Sequence, residues 1–227
     1  MRWIHPVCGE IVPDQFLPAA AQSQVGRDID EWALKRACED IGRLPREGDA
    51  PVCVEVNIGQ RMLESEKLTA DCVAYAASAG VHLGQIGLNV SERVLATSRS
   101  GLHALRTLRE RGVKVFVDGF GSGRVPLERL ASLPIDGIGV DRSFIARITT
   151  DMSARAMCKS VVSIAHAFGL RASAAGIETA QQLEFVTNIG CDAAQGKLLR
   201  GPMDVASLNR LSDVPAVMHR VAGKHRS

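Results

Sequence analysis

Residues 113–123 have the sequence Val-Lys-Val-Phe-Val-Asp-Gly-Phe-Gly-Ser-Gly, a short β-rich run that ends at Asp118 and continues into a glycine-rich turn. β-branched and aromatic residues favour a strand, and glycines favour a turn. Similar runs recur along the chain and alternate with longer stretches of helical spacing. This alternation predicts parallel strands joined by crossover helices, and therefore an α/β fold.

The predicted elements cover most of the chain. Strands are expected at Val52–Asn57, Gln85–Val90, Val113–Asp118, Gly137–Val140, Leu170–Ala175 and near Cys191–Gln195. Helices are expected at Asp28–Arg43, Glu66–Ala79, Gly101–Arg111, Ser153–Phe168 and Thr179–Ile189. Six such units favour a closed barrel or a doubly wound sheet. No linker-like segment divides them, so we predict one domain over residues 1–212 and a C-terminal tail over residues 213–227.

The composition of the chain gives no sign of nucleic-acid binding, a membrane span, disulfide bonds or a zinc site. The chain has 227 residues, 46% of them hydrophobic, and a net charge of +2, so no global field calls for a nucleic-acid partner. No apolar run reaches the roughly 20 residues that cross a bilayer. The six cysteines form no CxxC pair and several lie in apolar runs, which favours buried, reduced thiols over disulfides or a zinc site. These features predict a cytoplasmic protein without a membrane partner.

Polar residues stand where several predicted strands end. Asn57, Asn89, Ser91 and Asp118 occupy such positions. In a (β/α) barrel the functional groups lie at the carboxyl ends of the strands, so these residues are candidates for a site. The alternative is that asparagine and aspartate simply end strands and start turns, as they often do.

Seven segments, in order, resemble motifs of the EAL family of cyclic-di-GMP phosphodiesterases. The segments at 117–123, 140–144, 175–179 and 194–199 resemble DDFGTG, KIDRSF, AEGVET and AQGYLF, and those at 56–59, 15–18 and 1–3 resemble VNLS, EFIP and the end of EALLRW. The resemblance implies a TIM-like (β/α) barrel of the EAL type. Its first strands are expected to be missing or incomplete, because Met1-Arg2-Trp3 matches only the end of its motif.

The family's chemistry depends on residues that this sequence has partly lost. EAL enzymes hydrolyse one phosphodiester bond of cyclic-di-GMP with two divalent metals, usually Mg²⁺ or Mn²⁺, which generate hydroxide and neutralise charge. The resemblance places lost metal-site or catalytic positions at Asn89, Gly119, Gly139 and Ala175. It retains Asn57, Glu92, Asp118, Glu178 and Gln195. Because hard cations need several converging carboxylates, we predict no metal cofactor and no catalytic residue.

The predicted function is a non-catalytic EAL-like regulatory domain that acts through protein–protein contacts in cyclic-di-GMP-related signalling. The alternatives are a metal-free cyclic-di-GMP receptor and, third, an active phosphodiesterase. A receptor would use vestigial groups at Arg2, Asn57, Asp118, Glu178 and Gln195. The regulatory partner is unknown, and a homodimer is left open.

Some of these residues also have purely structural interpretations. Asp118 could cap the glycine-rich turn, and Asp141 and Glu178 could each serve the start of a helix. Trp3, Ile4 and Val7 could cover a gap left by the missing strands or belong to an ordinary core.

Overall fold

The computed structural model describes residues 1–21, 23–44 and 52–209. Its strands are β1 (Trp3–His5), β2 (Gly9–Ile11), β3 (Val54–Asn57), β4 (Ile86–Ser91), β5 (Lys114–Phe120), β6 (Gly137–Val140), β7 (Arg171–Ala175) and β8 (Ala193–Gln195). Its helices are α1 (Pro13–Ala20), α2 (Gln24–Ile41), α3 (Gln60–Leu63), α4 (Leu68–Ala79), α5 (Glu92–Thr97), α6 (Arg99–Glu110), α7 (Leu127–Leu130), α8 (Arg142–Ile145), α9 (Met152–Ala167), α10 (Ala180–Asn188) and α11 (Val205–Asn209).

These elements fall into two compact units. The first comprises Met1–Val90 and Thr97–Lys114, and the second comprises Ser91–Ala96 and the described residues from Val115 onward. The predicted domain boundary at residue 212 and the tail after it lie outside the described residues. The prediction of one domain over residues 1–212 therefore stays a prediction.

The first unit contains an antiparallel hairpin and a parallel strand pair. β1 pairs with β2, and β3 pairs in parallel with β4. α2 packs on α4 through a side that includes the fully buried Leu34 and Cys38. Strand β4 is almost wholly buried and apolar, as expected for a parallel strand that helices cover.

The second unit contains four parallel strands in chain order. β5 pairs with β6, β6 with β7, and β7 with β8, with a bulge in β5 between Val117 and Phe120. Strand β6 is buried at all four positions, and α9 packs against β6 and β7. Parallel strands in chain order with intervening helices confirm the predicted α/β class.

All six strands and five long helices predicted from the sequence are present, with ends displaced by a few residues. The N-terminal segment, where the first strands were expected to be missing or incomplete, contains two strands of three residues each. It forms the β1–β2 hairpin, and the hairpin leaves Trp3, Ile4 and Val7 exposed at 46%, 71% and 87%. The prediction that these residues belong to an ordinary core is therefore wrong.

Two further observations concern the cysteines and membrane association. Cys38, Cys72, Cys158 and Cys191 are buried free thiols, as predicted, whereas Cys8 is exposed. Burial raises the pKa of the Cys72 thiol to about 12, which keeps it protonated and unreactive. Within the described residues, no helix is both long and apolar enough to cross a membrane.

A carboxylate from α2 fixes the chain just beyond β3. Asp30 Oδ2 accepts a hydrogen bond from the backbone N–H of Gly59 at 2.8 Å. A Cβ atom at position 59 would lie only 2.8 Å from that oxygen, so a larger residue there would force the Asp30 side chain to shift. Burial raises the pKa of Asp30 to about 6, and the Gly59 hydrogen bond offsets only part of that rise.

Candidate functional site

In the first unit, the two candidate residues at the strand ends bind each other. The parallel register places Asn57 of β3 beside Asn89 of β4. The Asn89 amide nitrogen donates to Asn57 Oδ1 at 3.1 Å. Asn57 Oδ1 thus accepts a hydrogen bond from the neighbouring amide N–H.

In the second unit, Asp118 lies on the bulged part of β5 beside Gly119. Its Oδ1 accepts from the Gly119 N–H at 2.8 Å, which agrees with the turn-capping interpretation. The pKa of Asp118 is raised, mainly because neighbouring chain displaces water from the carboxylate; the charge of Asp141 adds to the rise, and the Gly119 hydrogen bond opposes it. A cation that binds this carboxylate therefore competes with a proton over a higher pH range than at an isolated aspartate.

Gly119 and Gly139 leave little room for the side chains that the family motifs carry. Gly119 has φ +69°, a conformation that side chains rarely adopt, and a Cβ there would lie 3.3 Å from Asp141 Oδ2. A Cβ on Gly139 would lie 3.3 Å from Asp118 Oδ1 and 3.2 Å from Ser173 Oγ. Restoring an aspartate or a lysine at these positions would therefore require neighbouring groups to move.

Asp141 has the structural role predicted for it, whereas Glu178 does not. Asp141 caps α8 by accepting from the Ser143 N–H at 2.8 Å. The helix after Gly176 is capped instead by Thr179, whose hydroxyl accepts from the Gln182 N–H at 3.2 Å. The prediction that Glu178 caps this helix is therefore wrong.

Glu178 forms an exposed ion pair with Lys197, whose Nζ lies 3.4 Å from Glu178 Oε1. Lys197 occupies the position of the tyrosine in the family's AQGY motif. Exposed pairs of this kind contribute little to stability, but they occupy the carboxylate. This pair could not be predicted from the sequence, because Glu178 and Lys197 lie in two separate motif segments and no local pattern links them.

The other residues at the ends of β7 and β8 are Ala175 and Gln195, which lie side by side in the register. Ala175 has no polar side chain with which to bind a ligand. The Gln195 side chain is exposed and makes no hydrogen bond within residues 1–21, 23–44 and 52–209, although its carbonyl accepts from the Ile177 N–H. The next residue, Gly196, lies so close to the Ile177 backbone that a Cβ atom would overlap it.

Glu92 is the buried charged residue whose role the sequence did not reveal. Its side chain is 2% exposed and accepts four hydrogen bonds from the loop after β5. One oxygen accepts from the Ser122 N–H and hydroxyl, at 3.0 and 2.6 Å, and the other accepts from the N–H groups of Arg124 and Val125, both at 2.9 Å. Glu92 therefore fixes this loop and has no free oxygen for a metal.

Arg2, the arginine assigned to phosphate, makes an ion pair across the hairpin. Its Nε lies 3.0 Å from Glu10 Oε1, and its Nη1 donates to the Met1 carbonyl at 2.8 Å. The guanidinium is exposed and keeps other donors, so a phosphate would compete with Glu10 for it.

The residues present do not fit a two-metal centre. Such a centre needs several carboxylates around one point. The first unit offers the amides of Asn57 and Asn89, and the second unit offers the carboxylates of Asp118 and Asp141, with only a glycine hydrogen at position 139. In the part of the chain that the structure describes, no three His, Cys, Asp or Glu side chains form a group that could hold a metal ion.

An α/β protein whose parallel strands end in these motif positions belongs to the barrel class of phosphodiesterase-related domains. The EAL domain model matches residues 1–202 of the chain. The protein is a member of the EAL family.

The relatives of this chain include proteins named as cyclic di-GMP phosphodiesterases. It is 32% identical over 209 residues to the cyclic di-GMP phosphodiesterase NbdA of Pseudomonas aeruginosa, covering 92% of this chain and 27% of NbdA. It is 31% identical to the bifunctional diguanylate cyclase/cyclic di-GMP phosphodiesterase MucR of the same organism, covering 92% of this chain and 30% of MucR. The chain thus spans about a third or less of these relatives.

A solved structure confirms the fold. The chain superimposes on the PaMucR phosphodiesterase in its c-di-GMP complex with a TM-score of 0.85 and 31% sequence identity, covering 91% of this chain and 84% of that one. The predicted TIM-like EAL architecture is therefore confirmed.

Proposed function

We propose that this chain is a non-catalytic EAL domain that acts through protein contacts in cyclic-di-GMP-related signalling. The observation that carries the proposal is the hydrogen bond between Asn89 and Asn57. An ionised glutamate at position 89 could only accept hydrogen bonds, so it and Asn57 Oδ1 would need a cation between them. The Asn89 amide nitrogen instead donates a hydrogen bond directly to Asn57 Oδ1. The hydrogen bond between the two amides therefore supports a site in which Asn57 Oδ1 has a partner without a metal ion.

The second unit supports the same conclusion. Gly119, Gly139 and Ala175 offer no ligand, and Glu178 pairs with Lys197. Losing one group around a metal typically costs about 10–100-fold in affinity or activity. The simultaneous loss of four motif residues predicts turnover far below that of a complete EAL enzyme.

Exposed apolar side chains of the first unit favour protein contacts over a purely nucleotide-binding role. Both tryptophans of the chain are half exposed, Trp3 at 46% and Trp32 at 55%. On α2, Val25 and Trp32 are separated by seven residues and share one exposed face, opposite to the buried Leu34. Exposed tryptophan and valine at helical spacing are typical of surfaces that bind other proteins.

A metal-free cyclic-di-GMP receptor is the second candidate. The PaMucR phosphodiesterase, 31% identical, was solved as a c-di-GMP complex, which favours residual affinity in this chain. The exposed, unbonded Gln195 side chain supports the same function. The loss of four motif residues and the Arg2–Glu10 ion pair weigh against it.

Calorimetric titration with cyclic-di-GMP distinguishes these functions. The titration is made in EDTA and again in excess Mg²⁺ or Mn²⁺, and the same samples are analysed for the linear dinucleotide. The proposal predicts no product and no binding under either condition. Binding in EDTA without product would make the chain a receptor, and metal-dependent product would make it an enzyme.

A further inference from the structure

A cleft on the helical side of the second unit is lined by residues that are not among the candidate site residues. It lies between α9 and α10 and has a volume of about 490 Å³, within the usual range for ligand pockets. Its buried floor is formed by Ile148 and Phe185, with Ile189 beside them. Polar side chains form its rim: Thr149, Arg155, Lys159, Gln181, Glu184 and Asn188.

Arg155 is held in place at this floor. Its guanidinium carbon lies 4.6 Å from the centre of the Phe185 ring, and its Nη1 donates to the Ile148 carbonyl at 3.2 Å. Stacking on an aromatic ring and one backbone hydrogen bond fix the plane of the group while leaving further N–H donors available. Little conformational entropy is then lost when an anion binds, which favours binding.

The charges of the rim define what could bind. Lys159 lies one helical turn after Arg155 on α9, so both cations face the same region. Glu184 of α10 lines the same cleft and makes no hydrogen bond or ion pair with any described residue. A ligand must therefore present an anion to Arg155 and Lys159 and hydrogen-bond donors to Glu184.

We propose that this cleft binds a carboxylate-bearing peptide segment of a partner protein. An aspartate or glutamate side chain meets the two cations, the peptide's N–H groups donate to Glu184 and Gln181, and an adjacent apolar side chain covers Phe185. A free phosphate satisfies the cations but has no peptide N–H groups for Glu184 and no apolar side chain to cover Phe185. None of the lining residues is among the strand-end residues, so the cleft binds its peptide whether or not the domain binds nucleotide or metal.

The test uses two acetylated, amidated peptides, Ala-Leu-Asp-Leu-Ala and its Asn counterpart, and inorganic phosphate as a third probe. Binding to the full chain is followed by backbone amide chemical shifts. We expect the Asp peptide to shift the signals of Thr149, Arg155 and Gln181. The Asn peptide should bind about tenfold more weakly, because charge-assisted hydrogen bonds are roughly twice as strong as neutral ones.

Two variants and one control make the result specific. Arg155→Gln should remove most of the difference between the peptides, and Lys159→Gln, which alters only an exposed side chain, should weaken Asp-peptide binding severalfold. Arg106→Gln, an exposed arginine on α6, is the matched control and should change nothing. Thermal unfolding of each variant establishes that it is folded.

Three outcomes would overturn the proposal. Equal affinity for the Asp and Asn peptides would show that no carboxylate is recognised. Unchanged binding in both the Arg155→Gln and Lys159→Gln variants would place the peptide elsewhere. Phosphate that binds as tightly as the Asp peptide would make the cleft a general anion site. All three readouts are independent of cyclic-di-GMP, so they are distinct from a failure of the proposed function.

Discussion

At the scale of single residues, this domain differs from the family motifs at four positions: Asn89, Gly119, Gly139 and Ala175. Several motif residues near them bind other protein groups. Asn89 donates to Asn57, and Asp118 binds the N–H of its neighbour Gly119. Glu178 pairs with Lys197. Asn57, Asp118 and Glu178 each have a polar partner within their own unit, and none of these contacts depends on a metal.

Glu92 gives a sharp test of the loop after β5. Glu92→Gln places an amide N–H₂ among the four N–H and O–H donors that converge on the carboxylate. We expect it to lower the free energy of unfolding by about 2–4 kcal/mol, because a buried charged acceptor is lost. Glu128→Gln, an exposed glutamate on α7, is the control in urea denaturation. Equal midpoints for the two variants would refute the assigned role.

Gly196 tests the close approach of two backbone segments in the AQG motif. Gly196→Ala puts a methyl group into the Ile177 backbone, whereas Gly201→Ala meets nothing within 4 Å. We expect the first to lower the free energy of unfolding by about 3 kcal/mol or more and the second to have no measurable effect. Denaturant unfolding of both variants measures the difference. A small effect at position 196 would mean that the chain relaxes there.

At the scale of elements, the contact between α2 and the end of β3 makes stability depend on pH. The pKa of Asp30 is about 6 in the folded protein, above its usual 3.8. The folded state therefore holds this proton more tightly than the unfolded state does. The resulting stabilisation is fully present below about pH 4 and is lost as the pH rises through about 6.

The Asp30→Asn variant isolates this effect. Relative to the variant, the wild type should lose about 1–2 kcal/mol of stability between about pH 4 and pH 7, after allowance for the partial exposure of the side chain. Urea denaturation of both proteins across this range gives the difference. Asp28→Asn, an exposed change on the same helix, should keep the wild-type pH dependence. If Asp30→Asn also keeps it, burial of Asp30 is not its source.

The pattern of strands and long helices could be predicted from the sequence because each has a strong local signal. Val113–Asp118, for example, has a valine at every second position before its glycines, and the observed β5 begins one residue later and extends two residues further. The N-terminal hairpin was missed because its strands are three residues long, too short to show a period.

The candidate site was less predictable, since its contacts depend on register and loop geometry. The motifs identified Asn57 and Asn89 as altered positions, but only the parallel pairing of β3 and β4 shows that they bind each other. Glu92 and its four donors are about thirty residues apart in sequence, so no local pattern links them. The sequence placed a cap at Glu178 where the structure places it at Thr179, because several polar residues there could have served.

For the whole molecule, the proposed non-catalytic domain, in whose described residues no three potential metal ligands form a group, predicts a stability that is insensitive to divalent cations. A ligand that binds only the folded state raises the melting temperature, so a two-metal site would reveal itself in thermal unfolding. We expect the same melting temperature in EDTA and in millimolar MgCl₂ or MnCl₂. A metal-dependent rise that persists at high ionic strength and disappears in Asp118→Asn would contradict this prediction.

The most direct test of the central claim is an assay for cyclic-di-GMP hydrolysis in excess Mn²⁺, with formation of the linear dinucleotide as the readout. The wild type and Asp118→Asn are compared, with a catalytically active EAL domain measured in parallel. The non-catalytic account predicts that both form no more product than buffer alone. Metal-dependent product from the wild type that is lost in Asp118→Asn would contradict it and would assign metal-site chemistry to the residues that remain.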